Sequence, residues 1–278
     1  MRFAYLGTSG FAAGLLRRIC EAGAPPALVV TRPDRPAGRG RRLPAPPVAD
    51  AAAELGLESF QPEDVNADAS VERIASANPE LLVVCAYGAL VGEALLESYE
   101  ILNVHPSLLP RWRGAAPIER AIMTGDAETG VSIMRLTAGL DSGPVCLAAA
   151  EPIGPRDTWG TLAERLEALG ARLLLEALRE RPPFAEQDES LVTWAEKVGP
   201  GDRTLDPSSP PDEQERRVRA LSPHVGARLA LPDGSFLGVL EAHVEDGRLV
   251  PDLVLPPGGR AMSWEDYLRG HGDPFAGS

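Results

Sequence analysis

An asparagine and a histidine two residues apart, Asn103 and His105, are the side chains whose types and spacing best suit catalysis. They belong to a short apolar run, residues 101–105, that is bounded by turn formers and is typical of a β-strand. Side chains at i and i+2 of a strand point to the same face, so the amide and the imidazole should project together. Such a pair can hold a carbonyl, stabilise a negative oxygen and move protons.

Asp141, between Gly139 and Gly143, offers a carboxylate for the same site. Glycines on both sides let the backbone come close to a ligand. The alternative is a turn aspartate that caps its own backbone, which is a common use. With Asn103 and His105, and with no activated serine or cysteine, Asp141 predicts a reaction in which the substrate brings its own nucleophile.

Residues 31–43, TRPDRPAGRGRRL, carry a local charge of +4 on a chain whose net charge is −13. A charge run is most often a solvated surface, but clustered guanidinium groups also suit phosphates. Just after the catalytic pair, two further arginines flank Trp112, on which a nucleobase or terminal ribose could stack; packing of Trp112 in the core is equally compatible.

Residues 103–117, NVHPSLLPRWRGAAP, together with residues 125–134, GDAETGVSIM, resemble the signature of the folate-dependent formyltransferases. The resemblance is strongest to the members that act on initiator methionyl-tRNA, and it runs from residue 3 to about residue 200. It implies that the chain transfers the formyl group of 10-formyltetrahydrofolate to the α-amino group of methionyl-initiator-tRNA, without a metal.

The resemblance also implies roles for individual residues. Those that match Asn103 and His105 hold the formyl oxygen, and the one that matches Asp141 assists proton transfer from the attacking amine. The folate is assigned to Ala86, Tyr87, Gly88, Ser107, Leu108, Leu109, Pro110, Leu136, Gly139 and Leu140. The tRNA is assigned to Arg32, Arg35, Arg39, Arg41 and Arg42 by the resemblance. Arg111 and Arg113 are assigned to its phosphates because they flank Trp112.

The elements around these residues predict an α/β protein with a doubly wound, mostly parallel, Rossmann-like sheet. Strands are predicted at residues 2–6, 27–31, 81–86, 101–105, 131–136 and 145–151, and helices at residues 11–21, 47–55, 65–77, 91–99, 117–124 and 158–181. In such a sheet, ligands bind at the carboxyl ends of the strands, where Asn103 and His105 are expected.

A proline-rich break separates this part from a small β-rich tail that the resemblance identifies as an OB-like domain. We expect a catalytic domain at residues 1–183, a linker at 184–211 and a shortened domain at 212–278, which lacks about one hairpin of sequence near residues 245–253. This shortening leaves open a formyltransferase that acts on a small amine, such as a nucleotide-linked amino-sugar. A non-enzymatic folate- or RNA-binding protein is the other alternative.

Composition excludes several classes. The chain has 44% hydrophobic and 24% charged residues, a composition typical of globular proteins. We expect it to be a cytoplasmic monomer without membrane attachment. Three widely spaced cysteines form neither a disulfide framework nor a zinc pattern. A nicotinamide enzyme is disfavoured, because residues 7–10, GTSG, do not fit G-x-G-x-x-G and no acidic residue ends the second strand.

Overall fold

The computed structural model describes residues 1–35, 44–272 and 274, in which strands and helices alternate through the first half. The strands are β1 Phe3–Gly7, β2 Leu28–Val30, β3 Ser59–Phe60, β4 Leu81–Cys85, β5 Ile101–His105, β6 Arg113–Gly114, β7 Glu128–Arg135, β8 Val145–Pro152, β9 Trp194–Ala195, β10 Thr204–Leu205, β11 Ala227–Ala230, β12 Phe236–Glu245, β13 Arg248–Leu255 and β14 Met262–Ser263. The α-helices are α1 Gly10–Glu21, α2 Pro47–Glu54, α3 Asp68–Ser76, α4 Glu93–Ser98, α5 Pro117–Thr124, α6 Trp159–Glu180, α7 Pro200–Arg203, α8 Pro211–Leu221 and α9 Trp264–Gly270.

A seven-stranded sheet with the order β3-β2-β1-β4-β5-β7-β8 forms the first part of the molecule. The pairs from β3 to β5 are parallel, and β7 runs antiparallel to β5. The strand order reverses at β1, so the sheet has a switch point between β1 and β4, where such folds bind their ligands. The predicted α/β fold with a mostly parallel sheet is confirmed.

Three neighbouring central strands, β1, β4 and β5, are buried along their whole length. Their uninterrupted apolar runs reflect a sheet that is covered on both faces. At the end of β1, a Cβ atom on Gly7 would lie 2.8 Å from the Tyr5 ring and 2.9 Å from Ala12. Glycine is therefore required there for close packing of helix α1, whose first turn is capped by the hydroxyl of Ser9.

A five-stranded sheet with the order β10-β11-β12-β13-β14 follows, and it confirms the predicted small β-rich part. Its strands β12 and β13 form a hairpin closed by Asp246 and Gly247, whose φ angles are 49° and 71°. Positive φ at both turn positions is the geometry that matches the twist of a two-residue hairpin. This two-residue turn lies within residues 245–253, where the sequence analysis expects a hairpin to be missing; that expectation stays a prediction.

Two compact units can be distinguished. One comprises Met1–Arg113, Gly130–Glu151 and Glu164–Trp194, and the other comprises Gly114–Thr129, Pro152–Ala163 and Ala195–Ser278. The domain boundaries expected from the sequence, residues 1–183, 184–211 and 212–278, stay a prediction. Among the described residues, no helix combines the length and apolar character needed to cross a membrane.

Candidate active site

Asn103, His105 and Asp141 meet at strand β5, and all three are buried. The amide nitrogen Nδ2 of Asn103 donates to Oδ1 of Asp141 at 3.3 Å. The ring nitrogen Nδ1 of His105 lies 3.7 Å from Oδ2 of the same carboxylate. The two oxygens of one carboxylate thus face the two side chains that the i, i+2 spacing of β5 places on one face.

The proton on His105 can be located from its partner. Its Nε2 lies 2.9 Å from the main-chain oxygen of Trp112, which can only accept a hydrogen bond. Nε2 therefore carries a hydrogen, and Nδ1 is the nitrogen that faces Asp141. This arrangement fixes the ring orientation and leaves one defined nitrogen for chemistry.

Asp141 reaches this position in an unexpected way. Because β7 is antiparallel to β5, its last residue, Arg135, pairs with Leu102, near the beginning of β5. The loop after β7 must therefore fold back to bring Asp141 to Asn103. The loop is closed by a hydrogen bond from the Arg135 amide to the Pro144 oxygen at 2.9 Å.

Gln187 is a site residue that the sequence reasoning missed. Its Nε2 donates to the main-chain oxygens of Asp141, at 2.8 Å, and of Gly143, at 2.7 Å. Its Oε1 accepts from Nε of Arg113 at 3.0 Å. Gln187 follows a pair of prolines in a segment assigned to a linker, so no local pattern pointed to it.

The residues assigned to folate after β4 adopt an unusual backbone. Ala86 and Gly88 have φ angles of 42° and 76°, which turn the chain sharply at the sheet edge and leave both residues exposed. Between them, Tyr87 is buried, and its main-chain oxygen accepts a hydrogen bond from the Thr8 hydroxyl at 2.7 Å. Burial raises the pKa of the Tyr87 phenol to about 12.

The residues assigned to folate after β7 follow a strand that pairs with β5 on the edge opposite β4. Leu136 packs against the apolar cluster that contains Tyr87, whereas Leu140 is 58% exposed and Gly139 is exposed beside it. The contact of Gly139 and Leu140 with folate stays a prediction.

The remaining folate candidates follow β5. Ser107 is buried, and its main-chain oxygen accepts from the hydroxyl of Ser132 at 2.8 Å; the same hydroxyl accepts from the Leu109 amide at 3.1 Å. Leu108 packs against Gly130, where a Cβ atom would lie 2.6 Å from the leucine side chain. Leu109 and Pro110 line a cavity of about 230 Å³ together with Gln187. These residues support the strand end that carries His105.

Comparison with known proteins gives the family. A sequence model described as formyl transferase matches residues 1–178. A methionyl-tRNA formyltransferase from Halorhodospira halophila is 41% identical over 299 residues, 97% of this chain and 96% of that protein. The chain belongs to the methionyl-tRNA formyltransferase family.

Solved structures share the fold. A methionyl-tRNA formyltransferase from Clostridium thermocellum superposes with a TM-score of 0.63 at 14% identity, covering 95% of this chain and 100% of that one. HypX from Aquifex aeolicus in complex with tetrahydrofolic acid has a TM-score of 0.67 at 18% identity, covering 100% of this chain and 48% of that one. Among the described residues there is no group of histidine, cysteine, aspartate and glutamate that could hold a metal ion.

The arginines assigned to tRNA in this family member fall into different environments. Arg32 donates to the main-chain oxygen of Gly88, and Arg35 is exposed. Arg39, Arg41 and Arg42 lie outside the described residues. Of the arginines in the 31–43 loop, only the first two can therefore be placed, and Arg32 joins the loop to a predicted folate segment.

Trp112 and Arg113 are buried, whereas the assignment of Arg111 to tRNA stays a prediction. The Arg111 guanidinium lies over the Trp112 ring, 4.5 Å from its centre, and Trp112 is buried, which favours the packing alternative over base stacking. The Arg113 side chain is 3% exposed and bonds both Gln187 and Glu189. This arrangement does not support the expected contact of Arg113 with phosphate, because its guanidinium is buried and bonded to two side chains.

Proposed function

We propose that this chain transfers the formyl group of 10-formyltetrahydrofolate to the α-amino group of methionine on initiator tRNA, which serves translation initiation. The observation that carries the proposal is the meeting of Asn103, His105 and Asp141 in a buried site of a chain that belongs to the methionyl-tRNA formyltransferase family. We further infer that it acts in the cytoplasm, as a monomer, where initiator tRNA is charged and cysteines stay reduced.

The side chains would divide the reaction as follows. The folate supplies the formyl carbon when bound. As the neutral amine attacks that carbon, negative charge develops on the formyl oxygen, towards which Asn103 Nδ2 and a protonated His105 Nδ1 can donate. Asp141 accepts the proton that the amine loses, and a proton is returned to the folate nitrogen when the bond between this nitrogen and the formyl carbon breaks.

The residues present fit a folate. A pterin is a planar ring with donors and acceptors on its edge, which needs main-chain partners and apolar contacts. The exposed turn from Ala86 to Gly88 offers the first, and Leu136 with the exposed Leu140 offers the second. The Tyr87 side chain is buried in the core and would act through its backbone.

The phosphates of the tRNA would be bound by the arginines of residues 31–43. Positive charge concentrated in one segment of a chain with net charge −13 would allow such a protein to bind nucleic acid. A small amine acceptor would make no use of these arginines.

A formylation assay with three acceptors tests the proposal. Wild-type protein with 10-formyltetrahydrofolate should formylate initiator methionyl-tRNA, should act much more slowly on elongator methionyl-tRNA, and should leave free methionine unchanged. No product on initiator tRNA would refute the proposal. Product on a nucleotide-linked amino-sugar but not on tRNA would favour the small-amine alternative.

A further inference from the structure

The side chain of Gln187 can adopt only one orientation. Its amide group has two N–H hydrogens, and two main-chain oxygens lie within reach, that of Asp141 at 2.8 Å and that of Gly143 at 2.7 Å. Rotating the amide by 180° would place its oxygen against two other oxygens and its nitrogen against the Arg113 Nε–H, 3.0 Å away. All three hydrogen bonds therefore support the same orientation.

Gln187 is itself held by a buried cation. Arg113 donates to Glu189 with both terminal nitrogens, at 3.1 and 2.7 Å, and to Gln187 with Nε. Planar two-point pairing of this kind gives directional rigidity as well as energy. The chain of contacts thus runs from Glu189 through Arg113 and Gln187 to the backbone of the loop that carries Asp141.

That loop needs external support. Asp141 has a φ of 46°, a left-handed conformation that costs energy for residues other than glycine and persists only when its surroundings impose it. The loop is also tight at Gly143, where a Cβ atom would lie 2.0 Å from the Arg135 oxygen. Its tip, residues 137–140, is exposed, so little packing restrains it.

We propose that Gln187 is a positioning residue for formyl transfer: by bonding the carbonyls of Asp141 and Gly143, it keeps the Asp141 carboxylate against Asn103 and His105. The inference rests on the proposed function, since it gives Asp141 a part in the reaction. Gln187 itself is not expected to touch either substrate.

Two substitutions separate the two hydrogen bonds that Gln187 donates from the volume of its side chain and from its contact with Arg113. Gln187→Met keeps the volume and loses every hydrogen bond. Gln187→Glu keeps an acceptor for Arg113 and loses the two donated bonds. Both should lower kcat about 10- to 100-fold with KM for both substrates within about twofold, because a misplaced catalytic group affects the chemical step. The exposed neighbour Glu186, changed to Gln, is the matched control and should retain wild-type rates.

A double-mutant cycle shows whether the effect passes through Asp141. In single-turnover assays, Gln187→Met should slow the wild type about 10- to 100-fold but slow the Asp141→Asn variant less than about twofold. Equal losses in both backgrounds, or a Gln187→Glu variant as fast as wild type, would overturn the proposal. Thermal midpoints measured in parallel allow rates to be expressed per folded enzyme.

The failure of this inference can be told apart from the failure of the proposed function. If wild-type protein makes no formylmethionyl-tRNA, the proposed function fails before Gln187 is examined. If wild type is active and the Gln187 variants match it, only the positioning role is lost.

Discussion

The imidazole of His105 is held by the main-chain oxygen of Trp112, 2.9 Å from Nε2, and this contact decides which ring nitrogen faces Asp141. Trp112 has a φ of 63°, so its carbonyl is aimed by a strained backbone. The Trp112 amide in turn donates to the hydroxyl of Thr193 at 2.9 Å, and the Arg113 amide donates to the Thr193 oxygen at 3.0 Å. The orientation of His105 thus depends on a residue 88 positions away in the chain.

Thr193→Val should lower kcat/KM roughly two- to tenfold, the effect of losing one net hydrogen bond that keeps the Trp112 carbonyl in place. Thr193→Ser keeps the hydroxyl and should restore the rate. Steady-state kinetics with initiator methionyl-tRNA gives the comparison. A valine variant as fast as wild type would contradict the role of this hydrogen bond.

Asn103→Ala should lower kcat about 10²- to 10³-fold, as expected when one donor to a developing oxyanion is removed. KM for the folate should change little, because the interaction strengthens mainly in the transition state. Single-turnover measurements are appropriate, since they separate the chemical step from product release. Wild-type rates in this variant would contradict the assigned role of Asn103.

Gly143→Ala should damage the site through the backbone. The added Cβ would lie 2.0 Å from the Arg135 oxygen, so the loop that carries Asp141 must shift. We expect kcat to fall about 10- to 100-fold, with a lower melting temperature. Gly10→Ala is the matched control, because its Cβ would meet nothing within 4 Å. If the Gly143→Ala variant keeps the kcat and melting temperature of the Gly10→Ala variant, the loop tolerates the displacement and the expectation is wrong.

Glu167→Gln should change how stability depends on pH. Burial raises the pKa of the Glu167 carboxyl to about 7, while Arg18, with Nε 3.9 Å away, lowers it in part. Between about pH 4.5 and 7 the folded protein keeps a proton that the unfolded chain releases, so stability is greatest below this window and falls as pH rises through it.

At pH 8 the Glu167→Gln variant should be more stable than wild type by roughly 1–3 kcal/mol, and the two should converge near pH 4. Urea denaturation at several pH values measures the difference. Glu97→Gln, at an exposed position of α4, serves as the control. A constant difference between variant and wild type across the range would contradict the raised pKa of Glu167.

The role of the arginines of residues 31–43 in tRNA binding can be tested through its dependence on salt concentration. Changing Arg39, Arg41 and Arg42 together to alanine should raise KM for initiator tRNA, and should reduce the slope of log KM against log salt by about one for each lost phosphate contact. The folate KM should stay unchanged. Alanine at Arg172, Arg179 and Arg260, which are exposed elsewhere, removes the same charge and should leave the salt slope as in wild type.

Local sequence patterns determined the bounds of strand β5, the face on which its side chains lie and the caps of two helices. Strand β5 begins and ends where it was predicted, because an apolar run between turn formers has few other options, and the period of two placed Asn103 and His105 on one face. The caps at Thr158 and Ser263 depend on local sequence in the same way, since each side chain bonds an amide three residues further along the chain.

Only the tertiary structure decided how Asp141 reaches its partners. Nothing in the run of residues after β7 indicated that this strand is antiparallel to β5, and hence that its loop must fold back. The hydrogen bonds among Gln187, Arg113 and Glu189 could not be predicted from local sequence either. They hold the buried side chain of Arg113, which the sequence alone assigned to tRNA phosphates. The physical reason is the same in both cases: strand direction and hydrogen bonds between segments more than 70 residues apart depend on how the whole chain packs, whereas strand faces and helix caps depend only on neighbours.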